Sequence, residues 1–205
     1  MLGETALLER LIEDLRLLAL AEAGQLPLYR EPLDPRDLLE SARSAFAGQA
    51  ATQGVALRVE PAGELPQIDA DPQRMAQVLA NLVANALRYT QEGGSITLCA
   101  AQATKDEGNA LQPLVLGPAS FVTLRVRDTG CGIAPEDLPH VFDRFYRADR
   151  SRTRGSGGAG LGLAITRQII VAHGGLIWAE SELGHGTTFS IALPVAQAEL
   201  ALEDA

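Results

Sequence analysis

Residues 71–89 read DPQRMAQVLANLVANALRY, and their pattern decides what the rest of the chain must build. Asp71 followed by Pro72 marks a helix start: a side-chain acceptor for unpaired N–H groups, then a residue whose fixed φ suits the first helical position. Met75, Val78, Leu79, Leu82, Val83 and Ala86 recur at three- and four-residue steps, so one face is apolar along its length and has to be buried. Asn81 and Asn85 lie four apart and project from one face, which Arg88 and Tyr89 extend by a turn. Asparagine is a poor interior helix former and carries no apolar surface, so two on one face call for a reason. A carboxamide oxygen ligates Mg²⁺ without adding charge, which suits a site whose ligand already brings phosphates. Two solvated or backbone-bonded asparagines fit the same pattern.

On the N-terminal side, Asp34-Pro35 repeats the start signal and predicts a helix to about Gln53, ended by Gly54. Val55–Val59 and Gln67–Asp69 read as strands, as do Ser95–Ala101 and Phe121–Arg127 on the C-terminal side. Gln102–Ser120 has Gly, Pro and Asn and little pattern, and reads as a mobile hairpin tip. Gly160 opens a further helix ending near His173, with Gly174-Gly175 as its stop. Gly175–Glu180 and Thr187–Leu193 form a closing hairpin with Gly184 and Gly186 in its turn. This order predicts an α/β (α+β) two-layer sandwich, a mixed sheet covered on one face by helices.

The first helix, about Thr5 to Ala23, stands apart. Leu7, Leu8, Leu11, Ile12, Leu15, Leu18 and Leu20 make a broad apolar stripe that one helix cannot bury alone. It packs on its own domain or on a partner helix of a bundle. Gly24 and Pro27, which separate it from the next helix, favour the partner. The expected division is therefore 1–27 for this helix and linker, 28–196 for the sandwich and 197–205 for a loose tail.

Composition narrows the function. The 205 residues suffice for one full-sized domain and an appendage, and 46% hydrophobic residues can build its core. Seventeen Lys and Arg against 26 Asp and Glu leave a net charge of −9, which argues against general nucleic-acid binding. Cys99 and Cys131 have neither metal-ligand spacing nor a disulfide framework. No apolar run approaches the roughly 20 residues of a membrane span. Glu4, Glu9, Glu13 and Asp14 interrupt what a signal peptide would keep apolar, so the chain reads as cytoplasmic.

Three more features bear on chemistry. In Asp128-Thr129-Gly130-Cys131-Gly132 a carboxylate at a strand end precedes glycines, offering an acceptor to an exocyclic amine such as adenine N6; an Asx-turn would look the same. Gly157-Gly158-Ala159-Gly160-Leu161-Gly162-Leu163 places glycines before a helix, where N–H groups close on phosphate, although it is neither a P-loop nor a Rossmann turn and a flexible linker fits as well. Arg144, Arg147, Arg150, Arg152 and Arg154 cluster in an acidic chain, which suits phosphate contact or a solvated loop.

In order and spacing these features resemble the sensor histidine kinases of two-component systems, within the Bergerat-type ATPase superfamily. Asn81 to Thr90 is similar to their N box, Asp128 to Ile133 to the first glycine box, and Phe142-Asp143-Arg144-Phe145-Tyr146-Arg147 to the F box. Gly158 to Leu163 is similar to the second glycine box, and Gly186-Thr187-Thr188-Phe189 to the last conserved turn. Arg10 to Leu15 and Glu22-Ala23-Gly24 resemble the second dimerisation helix running into the ATP-binding domain.

The resemblance implies ATP and Mg²⁺ as ligands, with Asn85 on the metal and Asn81 supporting it. It implies Asp128 on adenine N6, Arg88 and Tyr89 beside phosphates and base, and Gly130, Gly132 and Ile133 where the nucleotide approaches. Gly158, Gly160, Leu161 and Gly162 would form the lid hinge and phosphate-facing helix start, with the lid at about Ala148 to Gly158. Arg147 would reach the γ-phosphate, Asn81 and Arg147 would be the catalytic pair, and Thr188 would complete the nucleotide set. Implied partners are the dimerisation helices that carry the acceptor His, a second copy in a homodimer and a response-regulator receiver domain. An inner-membrane anchor is open to the full-length protein.

One departure stands out. The family's acceptor His precedes an acidic residue and an Arg-Thr-Pro-like run, and none of His140, His173 or His185 fits; His173, at a helix end, reads as a cap. The chain is expected to be a C-terminal piece holding the donor half of the reaction. The other readings are a Bergerat-fold conformational ATPase and an anti-sigma-factor serine kinase. Asn81 stands where those ATPases keep a water-activating Glu. The N-terminal helix and F box argue against the serine kinase.

Overall fold

The computed structural model describes residues 2–60, 63–102, 121–147 and 159–196. The expected hairpin tip (103–120), the lid with Gly157, Gly158, Arg150, Arg152 and Arg154, and the tail (197–205) lie outside them.

Both Asp-Pro starts form as the sequence predicts. Helix α1 is Leu2–Glu22, α2 is Pro35–Thr52 and α3 is Pro72–Tyr89. Asp34 accepts the Arg36 N–H at 2.8 Å and Asp71 accepts the Arg74 N–H at 3.0 Å, so each cap satisfies an N–H that the helix itself cannot. Gly54, at φ +65°, turns the chain out of α2. The last helix, α4, is Gly162–Ala172, entered from Gly160 at φ +72° and left through Gly174 at the same φ.

Strands β2 (Ala56–Val59), β4 (Ser95–Gln102), β5 (Phe121–Asp128), β6 (Leu176–Glu182) and β7 (Gly186–Pro194) form a five-stranded sheet in the order β2-β4-β5-β7-β6. The β2–β4 pair is parallel and the others antiparallel, so the sheet is mixed as expected. Strands β1 (Glu31–Leu33) and β3 (Ile68–Ala70) make a separate antiparallel pair. An Ile68–Val195 bridge and an Ala196 N–H to Gln67 carbonyl bond of 2.8 Å tie this pair to the end of β7. β1 is not foreseen by the sequence, since three residues containing Pro32 carry no periodicity.

Alternation along β5 aims its last side chain. Val122, Leu124 and Val126 are buried and pair with Leu193, Ile191 and Phe189 of β7. They share one core with Met75, Val78, Leu79, Leu82, Val83 and Ala86 of α3 and with Ile165, Ile169 and Ile170 of α4. Asp128 is the next residue in that row, so the helix-facing side of β5 ends in a carboxylate.

Helix α1 divides its stripe. Leu17 and Leu18 are buried in the common core, where α1 meets α4, while Ile12 and Leu15 remain 65% and 47% exposed. The helix therefore does pack on its own domain, through its C-terminal half. Among the described residues no helix is long and apolar enough to cross a membrane.

Candidate functional site

The site is built where the C-terminal half of α3, the end of β5 and the start of α4 converge. Asn81, mid-way along α3, donates its side-chain Nδ2 to the Gly162 carbonyl at 3.2 Å and reaches Thr166 Oγ1 at 3.4 Å. Thr166 Oγ1 itself donates to the Gly162 carbonyl at 2.9 Å. Asn81 thus holds the first turn of α4 against α3. Its Nδ2 is thereby engaged within the fold, while its Oδ1 keeps no partner among the described residues. The side chain of Asn85, one turn on and half-buried, makes no hydrogen bond among the described residues, so its carboxamide oxygen is available.

Asp128 is 6% exposed. Its Oδ1 accepts the Gly130 N–H at 2.8 Å and the Thr187 N–H at 3.3 Å. Its Oδ2 has no partner among the described residues. Burial raises the pKa of this carboxyl above its usual range, and the two N–H groups offset only part of that. A buried carboxylate with one oxygen pinned and the other uncommitted is suited to accept a hydrogen bond from a ligand amine.

The glycines are required by close approach. A Cβ on Gly130 would lie 2.6 Å from the Tyr89 carbonyl oxygen, which also accepts the Cys131 N–H at 3.3 Å. The first glycine box is therefore seated on the C-terminal end of α3. Gly132, at φ +68°, would place a Cβ 2.1 Å from the Glu182 carbonyl oxygen. Gly160 meets the F-box region, because the Phe145 N–H donates to its carbonyl at 3.0 Å and a Cβ there would be 2.8 Å from the Phe145 carbonyl carbon. Gly162 is different, since a Cβ there would meet nothing nearer than the Asn81 side chain at 3.7 Å. Leu161 is buried at the head of α4, and Ile133 packs half-buried against the core.

The F-box residues are ordered by their own contacts. Phe142 stands edge-on to Phe189 with centroids 6.1 Å apart, and the Tyr146 hydroxyl donates to Asp137 Oδ1 at 2.5 Å. Arg144 is ion-paired with Glu22 at the end of α1. Arg147 is half-buried and Arg88 exposed.

The strand register separates Thr188, which the sequence reading names, from its neighbour Thr187, which it does not. Thr188 pairs with Arg127, and alternation puts both on the side of the sheet away from Asp128. Thr187 is the residue on Asp128's face, buried and bonded to it. Ser181 escapes a reading of the sequence altogether: its hydroxyl lies 2.9 Å from that of Thr187. The adjacent threonines offer no local signal to choose between them. Only the β5–β7 register does.

A buried carboxylate at a strand end, glycines at two helix ends and an amide pair on a facing helix are the arrangement of a Bergerat-type ATPase domain. Residues 70–197 match the family described as histidine kinase-, DNA gyrase B-, and HSP90-like ATPase, and the chain belongs to that family. Within it, the chain is an ATP-binding catalytic domain of the sensor histidine kinase type. It is 40% identical over 193 residues to the sensor protein SrrB of Staphylococcus aureus, a match covering 94% of this chain and 30% of that protein. The fold is shared with full-length ShkA in complex with AMPPNP (TM-score 0.76, 30% identity, 96% of this chain and 37% of that one). It is shared also with the histidine kinase AdeS of Acinetobacter baumannii (TM-score 0.71, 27% identity, 96% and 82%). The chain thus spans about a third of the length of the curated relatives it matches.

Proposed function

We propose that this chain holds Mg–ATP and donates the γ-phosphoryl group to a histidine on a dimerisation-type helix, as the first step of two-component signalling. The observation that carries this is the Asp128 carboxylate, pinned through Oδ1 and uncommitted at Oδ2 beside Gly130 and Gly132. In this reading Oδ2 accepts from adenine N6, with Tyr89 and Ile133 beside the base. Asn85 ligates Mg²⁺, and its free half-buried carboxamide fits that role. Bound Mg²⁺ supplies charge neutralisation along the phosphates. Arg88, Arg147 and the approach to α4 through Gly160, Leu161 and Gly162 lie along the phosphates, with Asn81 keeping α4 and the Asn85 face in one frame.

The reaction asks little covalent chemistry of the protein. An imidazole nitrogen forms a bond to the γ-phosphorus as the bond to the ADP oxygen breaks, and catalysis is positioning and charge stabilisation. Asn81 cannot take a proton from water, and its Nδ2 is already committed to α4, so the conformational-ATPase reading loses its general base. The partners are a second copy through the dimerisation helices and a receiver domain that takes the phosphoryl group onward; the parent protein is open to a membrane anchor.

The test is transfer in trans. With γ-labelled ATP, a separate polypeptide carrying the dimerisation helices and their His should become labelled. It should do so slowly, because no tether raises its effective concentration, and Asp128→Asn should abolish the transfer. An acceptor known to be competent that stays unlabelled would overturn the proposal.

A further inference from the structure

Ser181 is the second-last residue of β6, next to the closing turn of an edge strand. Its Oγ makes three bonds. It accepts the Ile133 N–H at 2.8 Å, donates to the Gly186 carbonyl at 2.9 Å and lies 2.9 Å from Thr187 Oγ1. A hydroxyl has one proton and two acceptor sites. With its proton on Gly186, Ser181 must accept from Thr187, and all its capacity is used.

The three bonds go to the two walls of the Asp128 carboxylate. One wall is the first glycine box. Ile133 follows Gly132, which lies directly against the Glu182 backbone, and the Gly184 N–H donates to the Cys131 carbonyl at 2.8 Å. The other wall is the start of β7, where Gly186 packs so closely that a Cβ would fall 2.0 Å from the Asp128 carbonyl oxygen. The next N–H, that of Thr187, holds Asp128 Oδ1. One hydroxyl therefore clamps the loop that supplies the Gly130 N–H to the strand that supplies the Thr187 N–H. Both donors fix the same oxygen, and so fix where the other oxygen points.

We infer that Ser181 is a positioning residue for base recognition, which sets discrimination between adenine and guanine nucleotides by orienting Asp128. The inference rests on the proposed role of Asp128 on the adenine amine. Adenine presents a donor at its six-position and guanine an acceptor, so discrimination depends on the angle at which Oδ2 is offered. Phosphate and Mg²⁺ contacts come from other elements, α3 and α4, and do not pass through Ser181.

The experiment compares ATP, GTP and tripolyphosphate binding, each with Mg²⁺, by calorimetry on the whole chain. The variants are Ser181→Ala, Ser181→Thr, Ser181→Cys and Asp128→Asn. Ser181→Ala should cut the ATP-over-GTP ratio about tenfold, the worth of one misdirected hydrogen bond, and leave tripolyphosphate unchanged. Ser181→Thr keeps the hydroxyl and should restore the ratio. If Ser181→Ala does not fold, Ser181→Cys, with a weaker acceptor of similar size, takes its place in the comparison. Equal losses for all three ligands, or an unchanged ATP-over-GTP ratio while Asp128→Asn loses it, would overturn the role of Ser181. An unchanged ratio in Asp128→Asn itself would instead overturn the adenine reading.

Discussion

His173 Nε2 accepts the backbone N–H of Asp71 at 3.0 Å, joining the C-terminal end of α4 to the N-cap of α3 across 102 positions of sequence. Its Nδ1 faces the Ile169 carbonyl at 2.8 Å, which fixes the proton there and leaves Nε2 as the acceptor. The same corner holds the linker from α1. The Tyr29 N–H donates to Asp71 Oδ2 at 2.9 Å, and Arg30 donates to the Ala172 carbonyl at 2.7 Å while facing Asp69 at 3.6 Å. A neutral imidazole thus secures the far ends of both helices that build the nucleotide site.

This joint should make stability depend on pH. Burial holds His173 below its ordinary value of 6.5, and Arg30 pushes the same way; the Ile169 carbonyl, Asp71 and Asp69 offset only part. A pKa depressed by folding gives stability that is complete above about 6.5 and is lost as pH falls from there through the folded value. Protonation also removes the lone pair that receives the Asp71 N–H. The urea midpoint of the wild type should fall on acidification below that point. His173→Gln should be less stable at pH 8 by about 1–3 kcal/mol, with a shallower slope in the acid window. Parallel curves for the two proteins would show that another group carries the pH dependence.

Asp128 trades stability for binding. Its pKa is raised by folding, so the charged form is disfavoured in the native state and the cost is relieved as pH falls. Asp128→Asn removes that charge while an amide oxygen can still accept from Gly130 and Thr187. Its Tm should be equal to or above wild type. Its amide nitrogen would then face the adenine amine donor to donor, and match the guanine oxygen. ATP affinity should fall, and preference should shift toward GTP. A loss of Tm together with unaltered nucleotide preference would contradict both parts.

Asn85→Ala should weaken nucleotide binding only where Mg²⁺ is present. The loss should be tenfold or more, since removing even partners of metal ligands costs about 10–100-fold in metal affinity. With excess EDTA the variant and wild type should bind ATP alike. Asn85 makes no structural hydrogen bond among the described residues, so its Tm should barely change. Equal Mg–ATP affinity in the two proteins would remove Asn85 from the metal site.

The two site glycines Gly132 and Gly162 should respond to an added methyl group in opposite ways. For Gly132→Ala, the left-handed φ of +68° costs about 1–2 kcal/mol by itself. The new Cβ would also displace the Glu182 backbone, so Tm should drop by at least about 5 °C. Gly162→Ala sits at the helical start of α4 with space around it. It should be neutral or stabilise the fold by up to about 1 kcal/mol. Thermal melts of the two variants decide this directly.

The sequence reveals what is encoded locally. Asp34-Pro35 and Asp71-Pro72 start their helices because cap and first-turn residues interact within three positions. The buried face of α3 is set by spacing alone. Asp128 reads as a ligand-facing carboxylate because the glycines beside it are adjacent in sequence. What stays hidden depends on pairing at a distance. Thr187 is distinguishable from Thr188 only through the register of β5 with β7. Ser181 is one small polar residue on an edge strand until Ile133, 48 positions away, donates to it. His173 reads correctly as a helix cap, but its second bond, to Asp71, has no local trace. The pairing of Arg144 with Glu22, on a helix 122 positions earlier, likewise has no local trace.

The three histidines give the last prediction, that this chain binds ATP and does not phosphorylate itself. His173 is fully buried and both ring nitrogens are engaged, so no phosphorus can approach either one. His140 and His185 are exposed, and each has an acidic residue three positions away in the chain. His140 Nδ1 is 2.8 Å from Asp143 and His185 Nδ1 is 3.4 Å from Glu182. A carboxylate alone does not make an acceptor, because the nitrogen must also meet the γ-phosphate in line. His140 lies in a 3-10 turn, its ring 5.5 Å from Tyr146, and His185 in the β6–β7 turn; neither is on a helix that could move its ring into the nucleotide site. With γ-labelled ATP the chain alone should carry no acid-labile label. If label appears, His140→Ala and His185→Ala identify the acceptor, and its loss in His140→Ala would make the His140–Asp143 pair a phosphorylation site.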